Sequence, residues 1–178
     1  PSHIPTHKRT KLIREGKIHD ALSLMLMYSP IPETVCGEIC PNLCMDTCTR
    51  GRHDTAVKVD RLVKIQKNIS LPKIETKTGK KVAVIGGGPA GMSVAWQLVL
   101  KGHEVHLYEA SDTLGGKMEK CIPKERLPKD IMNREIERFK GVGVHLHLNT
   151  KVDKDTFSDI YKTHDISVIA CGAHMPRK

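Results

Sequence analysis

A short β-branched run, Val82–Ile85, leads directly into Gly86-x-Gly88-x-x-Gly91, and an apolar stretch of helical character, Pro89–Lys101, follows until Gly102. Glycines at that spacing between strand and helix permit a tight turn. They also let the backbone approach a pyrophosphate and let the helix pack closely on the strand. The alternation then continues, with a strand at Val105–Tyr108 and a helix at Lys129–Lys140 that sets Ile131, Met132, Ile136 and Phe139 on one side. Further strands are expected at Val144–Leu148 and Ile166–Ala170. Strand–helix–strand order with short loops predicts an α/β, Rossmann-like domain whose parallel sheet is covered by helices.

A phosphate on such a turn is met by the amides of the helix N-terminus. Glu109 ends the second strand, 23 residues after Gly86, where an acid can accept hydrogen bonds from ribose hydroxyls. Dinucleotide binding is therefore the expected use of Gly86, Gly87, Gly88, Pro89, Ala90, Gly91 and Glu109; an unliganded turn is the plainer alternative. Leu114-Gly115-Gly116 could bring a second loop to the same ligand, or be an ordinary turn. Arg126, between Pro123 and Pro128 in a stiffened loop, could face an anionic cofactor or simply solvent.

The first half of the chain differs. Two short helices are expected there, Lys8–Glu15 and one carrying Ile18, Ala21, Leu22, Met25 and Leu26 before Ser29-Pro30-Ile31-Pro32. Cys36, Cys40, Cys44 and Cys48 follow at C-x3-C-x3-C-x3-C, a density that packing does not explain. A zinc site usually pairs C-x2-C knuckles. An iron–sulfur cluster takes four thiolates at other spacings, and disulfides are the third possibility. Beside a redox-type domain the iron–sulfur reading is preferred. Ala56–Gln66 is expected to be helical, with Val59, Leu62, Val63 and Ile65 inward. Pro72 and Gly79 mark a linker. The expected division is a helical cysteine-rich domain over 1–70, a linker over 71–80 and a dinucleotide domain over 81–178.

Charge sets limits on partners. The chain of 178 residues carries a formal +9; residues 1–81 hold 15 Lys+Arg against 8 Asp+Glu, or +7, and the remainder 14 against 12, or +2. The six aromatics (Tyr28, Trp96, Tyr108, Phe139, Phe157, Tyr161) are scattered, so no base-stacking platform interleaves with the basic residues and no nucleic-acid partner is expected. Val82–Leu100 is uncharged, but its glycine-rich centre excludes a membrane helix. No secretory signal is read at Pro1–Thr10, and the expected compartment is the cytoplasm. His145 and His147 alternate with Leu146 and Leu148 as a half-exposed strand would, and are not read as ligands; the other histidines show no metal spacing. Cys121 and Cys171 are isolated, and no residue is read as an acid–base catalyst.

Ordered motifs over nearly the whole chain resemble one family, the glutamate synthase small-subunit type of FAD and iron–sulfur NAD(P)H oxidoreductase, whose pattern the N-terminal part of dihydropyrimidine dehydrogenase shares. The matching segments are Ile4-Pro5, Leu12–Lys17, Val35–Cys48, Val84–Gly91, Leu114–Gly116, Ile122–Lys129, Glu135-Ile136, Gly143-Val144, Ala170–Ala173 and Pro176-Arg177. The resemblance implies FAD pyrophosphate on Gly86–Ala90, adenosine ribose on Glu109, and an FAD path along Gly115, Gly116 and Lys117. It further implies FAD contacts from Arg126 and Val152, and [4Fe-4S] ligands at Cys40, Cys44 and Cys48, with Cys36 the extra cysteine of a subset. The family has more cysteines upstream, a threonine where Cys171 stands, and a further NAD(P)H domain beyond the length seen here. The implied function is an electron-transfer segment passing electrons between FAD and clusters, to or from other subunits or an acidic ferredoxin-like partner. The rival reading is a non-catalytic zinc-binding docking module with a nucleotide-binding fold.

Overall fold

A computed structural model describes residues 4–64 and 69–173. They form two compact units, one of residues 1–72 with 123–135 and one of 73–122 with 136–178. Ile65 and Gln66, and the Pro176-Arg177 motif, lie outside the described residues.

The first unit is helical. Helices α1 (Thr6–Arg14) and α2 (Ile18–Leu26) pack together, and α2 buries Ala21, Leu22, Met25 and Leu26 at the expected spacing. Leu22 and Met25 meet Val63 of α4 (Val59–Val63), with Ile4, Ile18, Cys36 and Ile69 against them. Between lie a π-helical turn (Glu33–Ile39), α3 (Leu43–Asp46) and a 3-10 turn (Thr49–Arg52). The expected helix from Ala56 begins only at Val59. Lys58 instead makes a γ-turn, Val59 N to Val57 O at 2.8 Å, with φ −71° and ψ 73° outside the helical range.

The π-helical turn, closed by Cys40 N to Val35 O at 3.0 Å, is held at both ends by the segment 123–135. Glu135, wholly buried, accepts hydrogen bonds from the amides of Glu33 and Thr34, both at 2.8 Å. Those are orphan donors of a helix start, which a carboxylate satisfies in both charge and hydrogen bonding. At the other end Arg126 Nη2 donates to the Ile39 carbonyl at 3.1 Å.

The second unit is a parallel four-stranded sheet in the order β3 (His145–His147), β2 (Glu104–Tyr108), β1 (Lys81–Ile85), β4 (Ile166–Ile169). Val82, Val84, Val105 and Leu107 are buried. Helix α5 (Pro89–Leu100) packs on β1 and β2, and its Trp96 stacks on Phe139 of α7 (Lys129–Gly141) at 6.1 Å. Both rings are fully buried, and burying Phe139 alone contributes about 1.5–3 kcal/mol. Helices α6 (Lys117–Cys121) and α8 (Lys154–Thr163) complete the unit; α8 is capped by Asp153, which accepts from Thr156 N, and buries Ile160. The stretch before β1 runs beside the end of α5, through Glu75 N to Leu100 O at 2.9 Å and Thr78 N to Gly102 O at 3.0 Å. Among the described residues no helix is long and apolar enough to cross a membrane.

Replacing Glu135 by Ala strands two buried amides, so E135A is expected to destabilise the first unit by about 2–5 kcal/mol, and E135Q by less. Urea unfolding followed by circular dichroism measures the difference.

Candidate dinucleotide cleft and cysteine centre

At the carboxyl ends of β1 and β2 an open cleft of about 800 Å³ faces the glycine turn. That volume suits a cofactor-sized ligand, and the carboxyl edge of a parallel sheet is where such ligands bind. Of the residues expected from sequence, Gly86, Gly88, Pro89, Ala90, Glu109, Gly116, Lys117 and Val152 line it.

Each glycine has its own reason. Gly86 has φ +110°, and a Cβ there would sit 2.5 Å from the Ala170 carbonyl oxygen. A Cβ on Gly91 would lie 1.8 Å from Gly86 O, so only a bare backbone lets α5 approach β1 this closely. Gly88 meets nothing within 4 Å, which leaves room for a ligand at the start of α5. No side chain caps that helix, and Pro89 stands in its first turn. Its first amides are therefore unpaired donors carrying partial positive charge into the cleft. Gly115 N donates to Gly87 O at 2.9 Å, which docks the second glycine loop on the first.

Glu109 serves the turn itself. It accepts from Gly87 N at 2.6 Å, from Ser111 N at 2.8 Å and from the Ser111 hydroxyl. Burial by itself would raise its pKa, but the hydrogen bonds from Ser111 and Gly87, with Lys120 nearby, outweigh it and hold the carboxyl below its usual range. Lys120 and Lys151 also line the cleft, as do Tyr108, Thr150 and Cys171. Sequence reasoning passed over these because they carry no motif; only the fold brings strand ends and later loops together. Arg126 falls in the other unit, on the Ile39 carbonyl.

The cysteine segment belongs to the first unit. Cys36 rides on the π-helical turn, Cys40 ends it, Cys44 lies in α3, and Cys48 precedes the 3-10 turn. All are free thiols, so the disulfide reading fails here. The Asn42 amide donates to Cys40 Sγ at 3.4 Å. Amides of Val57, Arg50 and Gly51 pull the Cys48 thiol below its ordinary pKa, the Val57 amide most, whereas burial pushes Cys36 up against the pull of Arg9.

Arg9 is the test of what this centre can hold. The residue is 1% exposed; Nη1 reaches only the Met25 sulfur at 3.0 Å, while Nε and Nη2 have no partner. Cys36 and Cys44 are the thiols that act on its charge. A buried cation with orphaned N–H groups beside thiols fits an anionic thiolate-held group, which would supply the missing charge and acceptors.

Comparison with known proteins agrees. Residues 1–73 match the family model for dihydropyrimidine dehydrogenase domain II, 4Fe-4S cluster, and residues 84–154 the model for the NAD(P)-binding Rossmann-like domain. The glutamate synthase [NADPH] small chain of Bacillus subtilis is 35% identical over 174 residues, covering 93% of this chain and 35% of that protein. The corresponding Escherichia coli chain is 33% identical over 177 residues, covering 92% and 37%. The NADP(+)-dependent formate dehydrogenase subunit beta of Moorella thermoacetica is 29% identical over 203 residues, covering 98% and 29%. The chain thus spans about a third of the length of these relatives.

Two substitutions separate packing from binding. G91A is expected to destabilise the second unit by roughly 3 kcal/mol or more. G88A should leave thermal unfolding nearly unchanged yet abolish dinucleotide binding in a fluorescence titration. A third tests the buried charge: R9M should stabilise the metal-free chain by about 1–4 kcal/mol while lowering iron retained after anaerobic reconstitution. Together the motifs, the fold and these similarities match the chain to iron–sulfur, Rossmann-fold oxidoreductases, the glutamate synthase small chains among them.

Proposed function

We propose that this chain is the electron-transfer segment of an NAD(P)H-dependent oxidoreductase, with FAD in the cleft and [4Fe-4S] on the cysteine centre. The observation that carries the reading is the uncapped start of α5 opening at Gly88 into a cofactor-sized cleft. Bound there, FAD supplies the exchange between hydride and single electrons that links a nicotinamide to a cluster.

The chain's own residues bind and orient. Backbone amides of Gly88 and Ala90 would meet the pyrophosphate, and Lys117, Lys120 and Lys151 add charge along the cleft. Glu109 uses three of a carboxylate's roughly four acceptor sites on the turn, leaving about one for a ribose hydroxyl. Val152 lines the adenine side in this reading. The assignment of Arg126 to the flavin rests on the resemblance; its Ile39 bond uses one of five guanidinium N–H donors.

Cys36, Cys40, Cys44 and Cys48 are the proposed cluster ligands. Amides directed at Cys48 favour its thiolate, and the Arg9 charge beside Cys36 and Cys44 would stabilise an anionic cluster and raise its potential. The relatives' names describe subunits and small chains, and this chain is proposed to work with other subunits and an acidic ferredoxin-like partner in the cytoplasm. The +7 on residues 1–81 would steer that encounter.

Anaerobic purification with assay of iron, acid-labile sulfide, zinc and flavin tests the proposal. Iron with sulfide, and stoichiometric flavin uptake on titration, are the expected results. Stoichiometric zinc with neither iron nor sulfide would overturn it in favour of a zinc-folded docking module.

A further inference from the structure

The parallel register gathers side chains that are far apart in the chain. Strand alternation puts Glu104, His106 and Tyr108 on one face of β2, and the pairs His106–His145 and Tyr108–His147 set two histidines of β3 beside them. His106 stacks on His145 at 4.6 Å and on His147 at 5.2 Å, and meets His164 edge-on at 5.1 Å. His147 stacks in turn on Tyr108 at 4.4 Å. Alternation along β3 explains each histidine singly but not their convergence with His106 and His164.

Hydrogen bonds fix where protons can sit. A carbonyl only accepts, so the 2.9 Å contact of His164 Nδ1 with Ile160 O puts the proton on Nδ1. In the neutral ring His164 Nε2 is then a lone pair, and it is buried without a partner. Glu104 Oε1 lies 2.9 Å from His106 Nε2, and His106 Nδ1 lies 2.9 Å from His147 Nε2. Neutral imidazole is the form that ligates metal.

The geometry points to a binding site for a divalent metal of zinc's class, formed by Glu104, His106 and His145, whose ligand atoms all lie within 4.8 Å of one another. Two imidazoles and a carboxylate make the donor set of an open zinc site. With His106 Nε2 on the metal, its Nδ1–H donates to His147 Nε2, the outer bond that fixes a ligating ring. Zinc would displace Lys81, 3.7 Å from Glu104 Oε1, and clip β2 to the edge strand β3. This site is in the second unit and does not depend on the flavin or cluster assignments.

The test uses the full chain, reconstituted anaerobically with iron and sulfide and freed of loose metal. Zinc chloride is titrated against a chromophoric chelator, with zinc X-ray absorption on the product. One zinc per chain in a nitrogen/oxygen shell, with iron content unchanged, is expected. Affinity should fall roughly 100-fold or more in H106A/H145A and about 10- to 100-fold in H147A. A shell containing sulfur, or affinity unchanged in H106A/H145A, would overturn the site. Should that variant not fold, histidine 15N spectra of the wild-type chain decide: zinc must move the ring nitrogens of His106 and His145, and unmoved resonances refute the proposal.

Discussion

Helix α5 reaches strand β1 only because position 91 has no side chain. Any Cβ there would overlap the Gly86 carbonyl, and the helix would have to back away from the sheet. That single contact sets the rest of the second unit. It aims the helix start at the sheet's carboxyl edge and leaves its first amides unpaired. It also leaves the space at Gly88 open. The Gly115–Gly116 loop then docks on the turn through Gly87 O, and Glu109 locks the turn from the other side through Gly87 N. A site for an anionic ligand follows from backbone geometry before any charged side chain is added.

The first unit obeys a different constraint. Its cysteines lie on short and irregular elements that cannot hold their own shape by propensity, since a π-helical turn is rare and an isolated short helix is marginal. Two side chains from residues 123–135 supply the order: Glu135 satisfies the first amides of the π-helical turn and Arg126 takes its last carbonyl. Arg9 then places a buried charge with unpaired donors beside Cys36 and Cys44. Such a charge is costly in an apolar core. Its retention makes sense where the thiols bind an anionic group.

Much of this was legible beforehand. The strand, turn and helix around Gly86–Gly91, the apolar faces of α2 and α7, and the glycine turn and Glu109 of the cleft follow from periodicity and a strict glycine spacing, whereas Lys117 and Val152 follow from the family resemblance. The π-helical turn was not legible, because its stability lies in Glu135, a hundred residues away. The late start of α4 was hidden too, since the γ-turn at Lys58 has no residue signature. Lys120 and Lys151 could not be assigned to the cleft, as a surface lysine has no local signature.

Sequence alone determined the order of elements, the phosphate-type turn and the thiol-rich segment, because each rests on residues adjacent in the chain. Tertiary structure decided which distant groups share a site. It set Glu135 under the cysteine-bearing turn, left Nε and Nη2 of Arg9 without a partner, and brought His106 against His145 and His147 across a strand pair. Hydrogen bonding and metal ligation act over a few ångströms, and chain spacing does not encode that distance when a sheet register or a buried carboxylate supplies the contact.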